Sequence, residues 1–177
     1  MGLRTFIVAL ILATTVSLGA SAFAQEKPSL PTNEFIRKAS VGNQFEIESG
    51  RLALSRTATP EIRYFAQTMV TGHTQIDMQL KAILASSDIG TVPAKELDVE
   101  HKATLDRLKS ALEQDFDGEY IQSQIDSHEY AILLFKDYAE NGDNDDLKKF
   151  ASDTLSTLIQ HREKLHDLTP ANANAGL

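Results

Sequence analysis

Residues 120–139 read YIQSQIDSHEYAILLFKDYA. At helical spacing this stretch places Ile121, Ile125, His128, Ile132, Phe135 and Ala139 on one face, because side chains three and four apart stack along an α-helix. One histidine interrupts an otherwise apolar stripe. A polar group buried without a partner costs on the order of 1–3 kcal/mol, so the rest of the chain must supply something that meets His128.

Three further stretches show the same pattern. Thr32 is the expected N-cap of a helix over 33–55. Its inner face carries Phe35, Ala39, Gly42 and Glu46, with Ile36, Asn43, Ile47, Gly50 and Leu54 beside them. The two glycines each lower helix propensity by about 1 kcal/mol, but on a core face they let a neighbour come close. Thr59-Pro60-Glu61 has the chemistry of a helix start. The stripe behind it runs Ile62, Phe65, Ala66, Met69, His73, Ile76, Leu80, Ile83, Leu84 and ends near Ser87. The last stripe is Leu147, Phe150, Ala151, Thr154, Leu158, His161, Leu165, Leu168, with Asp143 or Asn144 as its cap.

Between the second and third long helices lie a loop with Gly90 and Pro93 and a short helix from Asp98 to about Leu112. Phe116-Asp117-Gly118 reads as a turn into the 120–139 helix. Asn141-Gly142 ends that helix with a residue able to take positive φ. No strand-like alternation, internal repeat or Gly-rich phosphate loop is present. The expected fold is all-α: a ferritin-like four-helix bundle over 32–168, with a short extra helix in the crossover. Short first and last connections make antiparallel hairpins. A middle connection of about 28 residues can return the length of the bundle.

The ends read differently. Arg4, the apolar run Phe6–Leu18 and Ala22-Phe23-Ala24 before Gln25 have the order of a Sec signal peptide over 1–24. The run is short for a membrane span, and an uncleaved N-terminal anchor is the rival reading. Residues 25–31 are a linker and 169–177 a disordered tail. The expected location is the periplasm. No later apolar run is long enough for an integral membrane span. Cysteine is absent from the 177 residues, so an oxidising compartment adds no disulfide and no lipoprotein cysteine follows the apolar run. Without residues 1–24 the chain keeps 16 basic and 25 acidic residues, a net charge of −9. That balance disfavours nucleic acid or an anionic membrane as partner.

The polar residues on the four stripes fall near one level. With the first turn near residue 57 or 58, Glu46 stands opposite about residue 69, and His73 is one turn away, roughly 6 Å. His128 similarly faces about residue 157, one turn from His161. Asn43 lies nearer the level of His73. Three imidazoles and a carboxylate suit a mononuclear Zn, Cu, Fe or Mn site, making Glu46, His73, His128 and His161 the candidate metal ligands. Val70, Ile125 and Leu158 stand three residues before the histidines. The Glu-x-x-His signature is therefore missing, and a standard di-iron centre is disfavoured. Asp77, Glu129 and Glu163 are candidate supporting acids, while His101 and His166 read as surface or edge residues.

The leading expectation is a non-catalytic envelope protein whose polar centre is a buried hydrogen-bond or ion-pair network. The alternative is a metal-binding or metal-dependent redox protein. A partner-binding module, as a homodimer or on an envelope protein, is a third reading. No nucleophile–base pair is legible.

Several segments also resemble a family. They are Phe35-Ile36-x-x-Ala39-x-x-Gly42-Asn43-x-x-Glu46-Ile47, Gly50-x-Leu52-Ala53, and Arg63-x-Phe65-Ala66-x-x-Met69-Val70-x-x-His73-Thr74. Leu97-Asp98-x-x-His101, Phe116-Asp117-x-x-Tyr120, Gln124-x-x-x-His128 and Phe150-Ala151-x-x-Thr154-Leu155, followed by His161, continue the pattern. Together they resemble the exported bacterial proteins of domain of unknown function 4142, over about residues 32–168. The resemblance implies a ferritin-like bundle in the periplasm or at the outer membrane, and no particular activity. Ser156 stands where the family more often has proline, which implies a less kinked last helix here.

Overall fold

The structure, a computed structural model, describes residues 30–168. The expected signal peptide, most of the linker and the tail lie outside the described residues. Five helices and no strand are present among them: α1 (Thr32–Arg56), α2 (Pro60–Ala85), α3 (Val99–Ser110), α4 (Glu113–Asn141) and α5 (Asp145–Leu168). No described helix is long and apolar enough to cross a membrane.

Two apolar clusters fix how the helices run. One joins Phe35 and Ile36 of α1, Ile76 and Leu80 of α2, Phe135 and Tyr138 of α4, and Leu147 and Phe150 of α5. The other joins Ala53, Phe65 and Met69, Phe116 and Tyr120, and Leu165. Each cluster takes the N-terminal part of α1 or α5 with the C-terminal part of α2 or α4, or the reverse. Thus α1 and α2 are antiparallel, α4 and α5 are antiparallel, and α2 and α4 run the same way. The crossover carries the chain back along the bundle, and α3 on that crossover packs on α1 and α4.

Local chemistry sets the joints. Asp98 caps α3 through the His101 backbone N–H at 3.1 Å, and Asn144 caps α5 through the Leu147 N–H at 3.0 Å. Arg56 closes the C-terminus of α3 by donating to the Leu108 and Ala111 carbonyls at 2.8 and 2.7 Å, with its guanidinium over the Phe116 ring. Gly50 sits where α1 meets α2. A Cβ there would lie 2.9 Å from Val70 Cγ2 and 3.2 Å from the Ala66 carbonyl oxygen.

Several expectations need correction. Thr32 is the first residue of α1 rather than its cap; Pro31 holds the cap position, and the Thr32 hydroxyl bonds Tyr138 and Asp143 instead. Thr59 stands at the cap of α2 but makes no capping bond, because its hydroxyl donates to Asp117 Oδ2 at 2.6 Å. Phe116-Asp117-Gly118 is not a turn. It lies inside α4, which begins at Glu113 because Phe116 has a buried place in the lower cluster. Gly142 ends α4 at φ −60, so close approach of Tyr138, rather than positive φ, accounts for a glycine there. α5 runs unbroken across Ser156.

Candidate metal centre

Between the apolar clusters lies a polar belt. Asn43, Glu46 and Ser49 come from α1, His73 from α2, Gln124 and His128 from α4, and Thr154 and His161 from α5, all buried. α4 is rotated slightly from its expected stripe. Tyr120, Gln124 and Tyr138 are fully buried, while Ile125 and Ile132 are half-buried. That rotation directs Gln124 and His128 together into the belt.

The three histidines meet. Their ring centroids are each 5.5 Å apart, and one nitrogen from each ring lies within 4.8 Å of one from each of the others. Burial excludes water from them: His73 is 3% exposed, His128 1% and His161 5%. His73 Nδ1 donates to Asn43 Oδ1 at 3.0 Å, and His128 Nδ1 donates to the Gln124 carbonyl oxygen at 2.8 Å. With Nδ1 as the N–H, Nε2 of each ring carries the lone pair. His73 Nε2, His128 Nε2 and His161 Nδ1 are buried and have no hydrogen-bond partner.

Gly72 makes room for the third ring. A Cβ at this position would stand 3.1 Å from His161 Cε1, so the histidine packs directly on the α2 backbone. The glycine gave no signal at the sequence level beyond being next to His73. Gln124 entered only through the family resemblance, and its carbonyl rather than its side chain orients His128.

Glu46 is buried at 2% exposure, but it stands on the other side of His128. Its Oε1 is 3.8 Å from His128 Nδ1, too long for a hydrogen bond, and neither carboxyl oxygen makes a hydrogen bond of normal geometry, although Ser127 and Gln124 lie close enough to act on its charge. It is not among the mutually close groups. Asp77 turns outward to Lys81 at 2.6 Å, and Glu129 and Glu163 are exposed, so none of these acids supports the centre. His166 is exposed as expected. His101 is not an ordinary surface residue: its half-buried ring packs edge-on to Phe45, and its Nδ1 donates to Asp98 Oδ1 at 2.6 Å.

The electrostatics follow from burial. Desolvation holds His73 well below the ordinary 6.5, with charge on His128 and His161 acting in the same sense. Desolvation takes His161 down to about 3, with His128 and Lys164 contributing. Both are neutral at pH 7, the form in which imidazole binds metals. Burial lifts the Glu46 carboxyl above 4.5 against the opposing pull of His128, Ser127 and Gln124. It also lifts the Tyr120 phenol, with Glu46 adding to the effect.

Fold and centre together define an all-α helical bundle with three buried imidazoles converging between two apolar layers. The profile of the family Domain of unknown function (DUF4142) matches residues 18–168, and the chain belongs to that family. Among solved structures the chain is similar to CopM in its Cu(II)-bound form, at 20% identity, TM-score 0.68, over 80% of this chain and 97% of that one. It is also similar to CopM in its Cu(I)-bound form, at 21% identity, TM-score 0.64, over 77% and 93%. A DUF305 fragment from Deinococcus radiodurans matches at 14% identity, TM-score 0.68, over 80% and 97%. At these identities the likeness is one of fold. No curated protein sequence matches the chain.

Proposed function

We propose that this protein is an exported, ferritin-like four-helix-bundle protein that binds one copper ion on His73, His128 and His161. The observation that carries the reading is the set of three buried imidazole nitrogens within 4.8 Å of one another. Bonds of 2.0–2.1 Å place ligating nitrogens about 3.3–3.6 Å apart, so small ring movements complete the site. The purely structural network is the weaker reading, because such a network would pair its members. Here three nitrogens stay unpartnered, at a cost of about 1–3 kcal/mol each. Binding of a metal at a protein site, about 10–16 kcal/mol for zinc fingers, is large enough to offset that cost.

Copper is favoured on chemical grounds. The close donors are imidazoles alone, which suit Zn, Cu, Fe and Ni, and divalent affinity peaks at copper. The CopM structures of similar fold, with Cu(II), Cu(I) and silver bound, support the same choice. Glu46 acts as a charge partner behind His128 rather than as a ligand of the ion at rest in the site. The Arg4, Phe6–Leu18 and Ala22-Phe23-Ala24 pattern supports export to the periplasm.

The test is elemental analysis of untagged protein beginning at Gln25, incubated with Cu(II), Cu(I) or Zn(II) and then desalted. One copper per chain, lost in His128→Ala, supports the proposal. No retained metal and no thermal shift with any of the three ions overturns it, and zinc retained in preference to copper corrects the ion.

A further inference from the structure

Resting on the proposed metal site, we propose that the groove between α1, α3 and α4 is the route by which the ion reaches the three histidines, with His101 and Glu46 as successive transfer ligands. The groove encloses about 630 Å³ and is lined by His101, Ser127 and Tyr130 among others. Behind it a cavity of about 20 Å³ is bounded by Gly42, Glu46, His73 and His128, enough for about one water-sized species. The two spaces share Lys38, His101, Ser127 and Tyr130 as lining. His101 thus stands at the junction of a broad surface groove and the interior centre.

The donor chemistry along this line is continuous. His101 gives its Nδ1–H to Asp98, which leaves Nε2 as its lone-pair nitrogen. Glu46 comes next inward, nine-tenths buried or more, with no hydrogen bond of normal geometry to either carboxyl oxygen. It lies 3.8 Å from the His128 ring. A carboxylate at that depth serves a cation in passage, since an ion crossing a low-dielectric interior needs a ligand at each step. Gly42 is the open side of the passage. A Cβ built there meets nothing within 4 Å, and the position lines the inner cavity, so a larger side chain there narrows the passage.

Stopped-flow mixing of the mature chain with aqueous Cu(II), read with the dissociation rate into a chelator, tests the route in Gly42→Leu and His101→Gln. A blocked path changes both directions alike. Loading and release should each slow at least ten-fold, with stoichiometry and the ratio of the two rates unchanged. Wild-type rates in folded, copper-binding variants would overturn the route while leaving the metal site standing. Slower loading with proportionally weaker binding would also overturn it, since the substitutions would then act on the site itself. Should Gly42→Leu fail to fold, His101→Gln alone carries the comparison. A wild-type chain that binds no copper overturns both proposals.

Discussion

His128 gives its Nδ1–H to the carbonyl oxygen of Gln124, one turn back along α4, at 2.8 Å. The bond is internal to one helix, so its acceptor is in place whenever α4 forms. With Nδ1 as the N–H, the lone pair lies on Nε2, which is buried and has no hydrogen-bond partner. The centre is pre-oriented by a backbone group that substitution cannot remove, and the consequences for the other two histidines follow from how differently they are held.

His73 depends on a side chain. Asn43 accepts its Nδ1–H at 3.0 Å, and Asn43→Leu removes that acceptor. Metal stoichiometry should stay at one while affinity falls about 10–100-fold, the usual effect of losing a partner that orients a ligand. Competition with a chelator of known affinity measures the change.

His161 depends on space. In Gly72→Ala the new Cβ would stand 3.1 Å from His161 Cε1, so the ring must shift by a few tenths of an ångström. Alanine raises helix propensity by about 1 kcal/mol, which offsets the crowding. Thermal stability without metal should therefore change little, while copper affinity falls. A variant with unchanged affinity would show that His161 is not held by contact with α2.

Removing a ligand should separate stability from binding. His161→Leu replaces a desolvated imidazole, whose Nδ1 has no partner, by an apolar side chain. The metal-free protein should gain about 1–3 kcal/mol, a rise of a few degrees in melting temperature, as copper retention is lost. A metal-free variant less stable than wild type would point to a structural role for the ring.

Acid should loosen the metal-free protein through the same groups. His161 titrates at about 3 in the fold against an ordinary 6.5, and His73 is displaced in the same direction. Between those values the unfolded chain binds protons that the folded chain does not. Stability is therefore complete above about pH 6.5 and falls as the pH drops toward 3, by up to about 1.4 kcal/mol per unit for each group. Glu46 is shifted upward and has the opposite sign: its contribution is present below 4.5 and is lost as the pH rises through its folded value. It flattens the profile just above 4.5 and leaves the histidine slope below. Urea unfolding across about pH 4–7, compared between wild type and His161→Leu, isolates the His161 share. Identical slopes would contradict a buried neutral His161.

Much of this was legible in the sequence because helical periodicity is a local property. The buried faces of α2 and α5 match their stripes almost residue for residue, and the interrupting histidines mark the level of the centre. Reading failed where a long-range contact outweighs a local preference. Thr32 and Thr59 look like caps, but Tyr138 and Asp117, both distant in sequence, take their hydroxyls. The position of Glu46 could not be read either, since a few degrees of helix rotation decide which side of His128 it meets. The half-buried place of His101 against Phe45 could not be read, because it comes from α3 folding back over α1, which no periodicity encodes.

The position of a bound copper ion tests the proposed three-histidine site without mutating it. Anomalous scattering at the copper edge from crystals of the copper-loaded chain beginning at Gln25 locates the ion without reference to affinity. A single peak is expected about 2.0–2.1 Å from one nitrogen each of His73, His128 and His161. A peak confined to surface carboxylates, with the three rings in their metal-free positions, would contradict it.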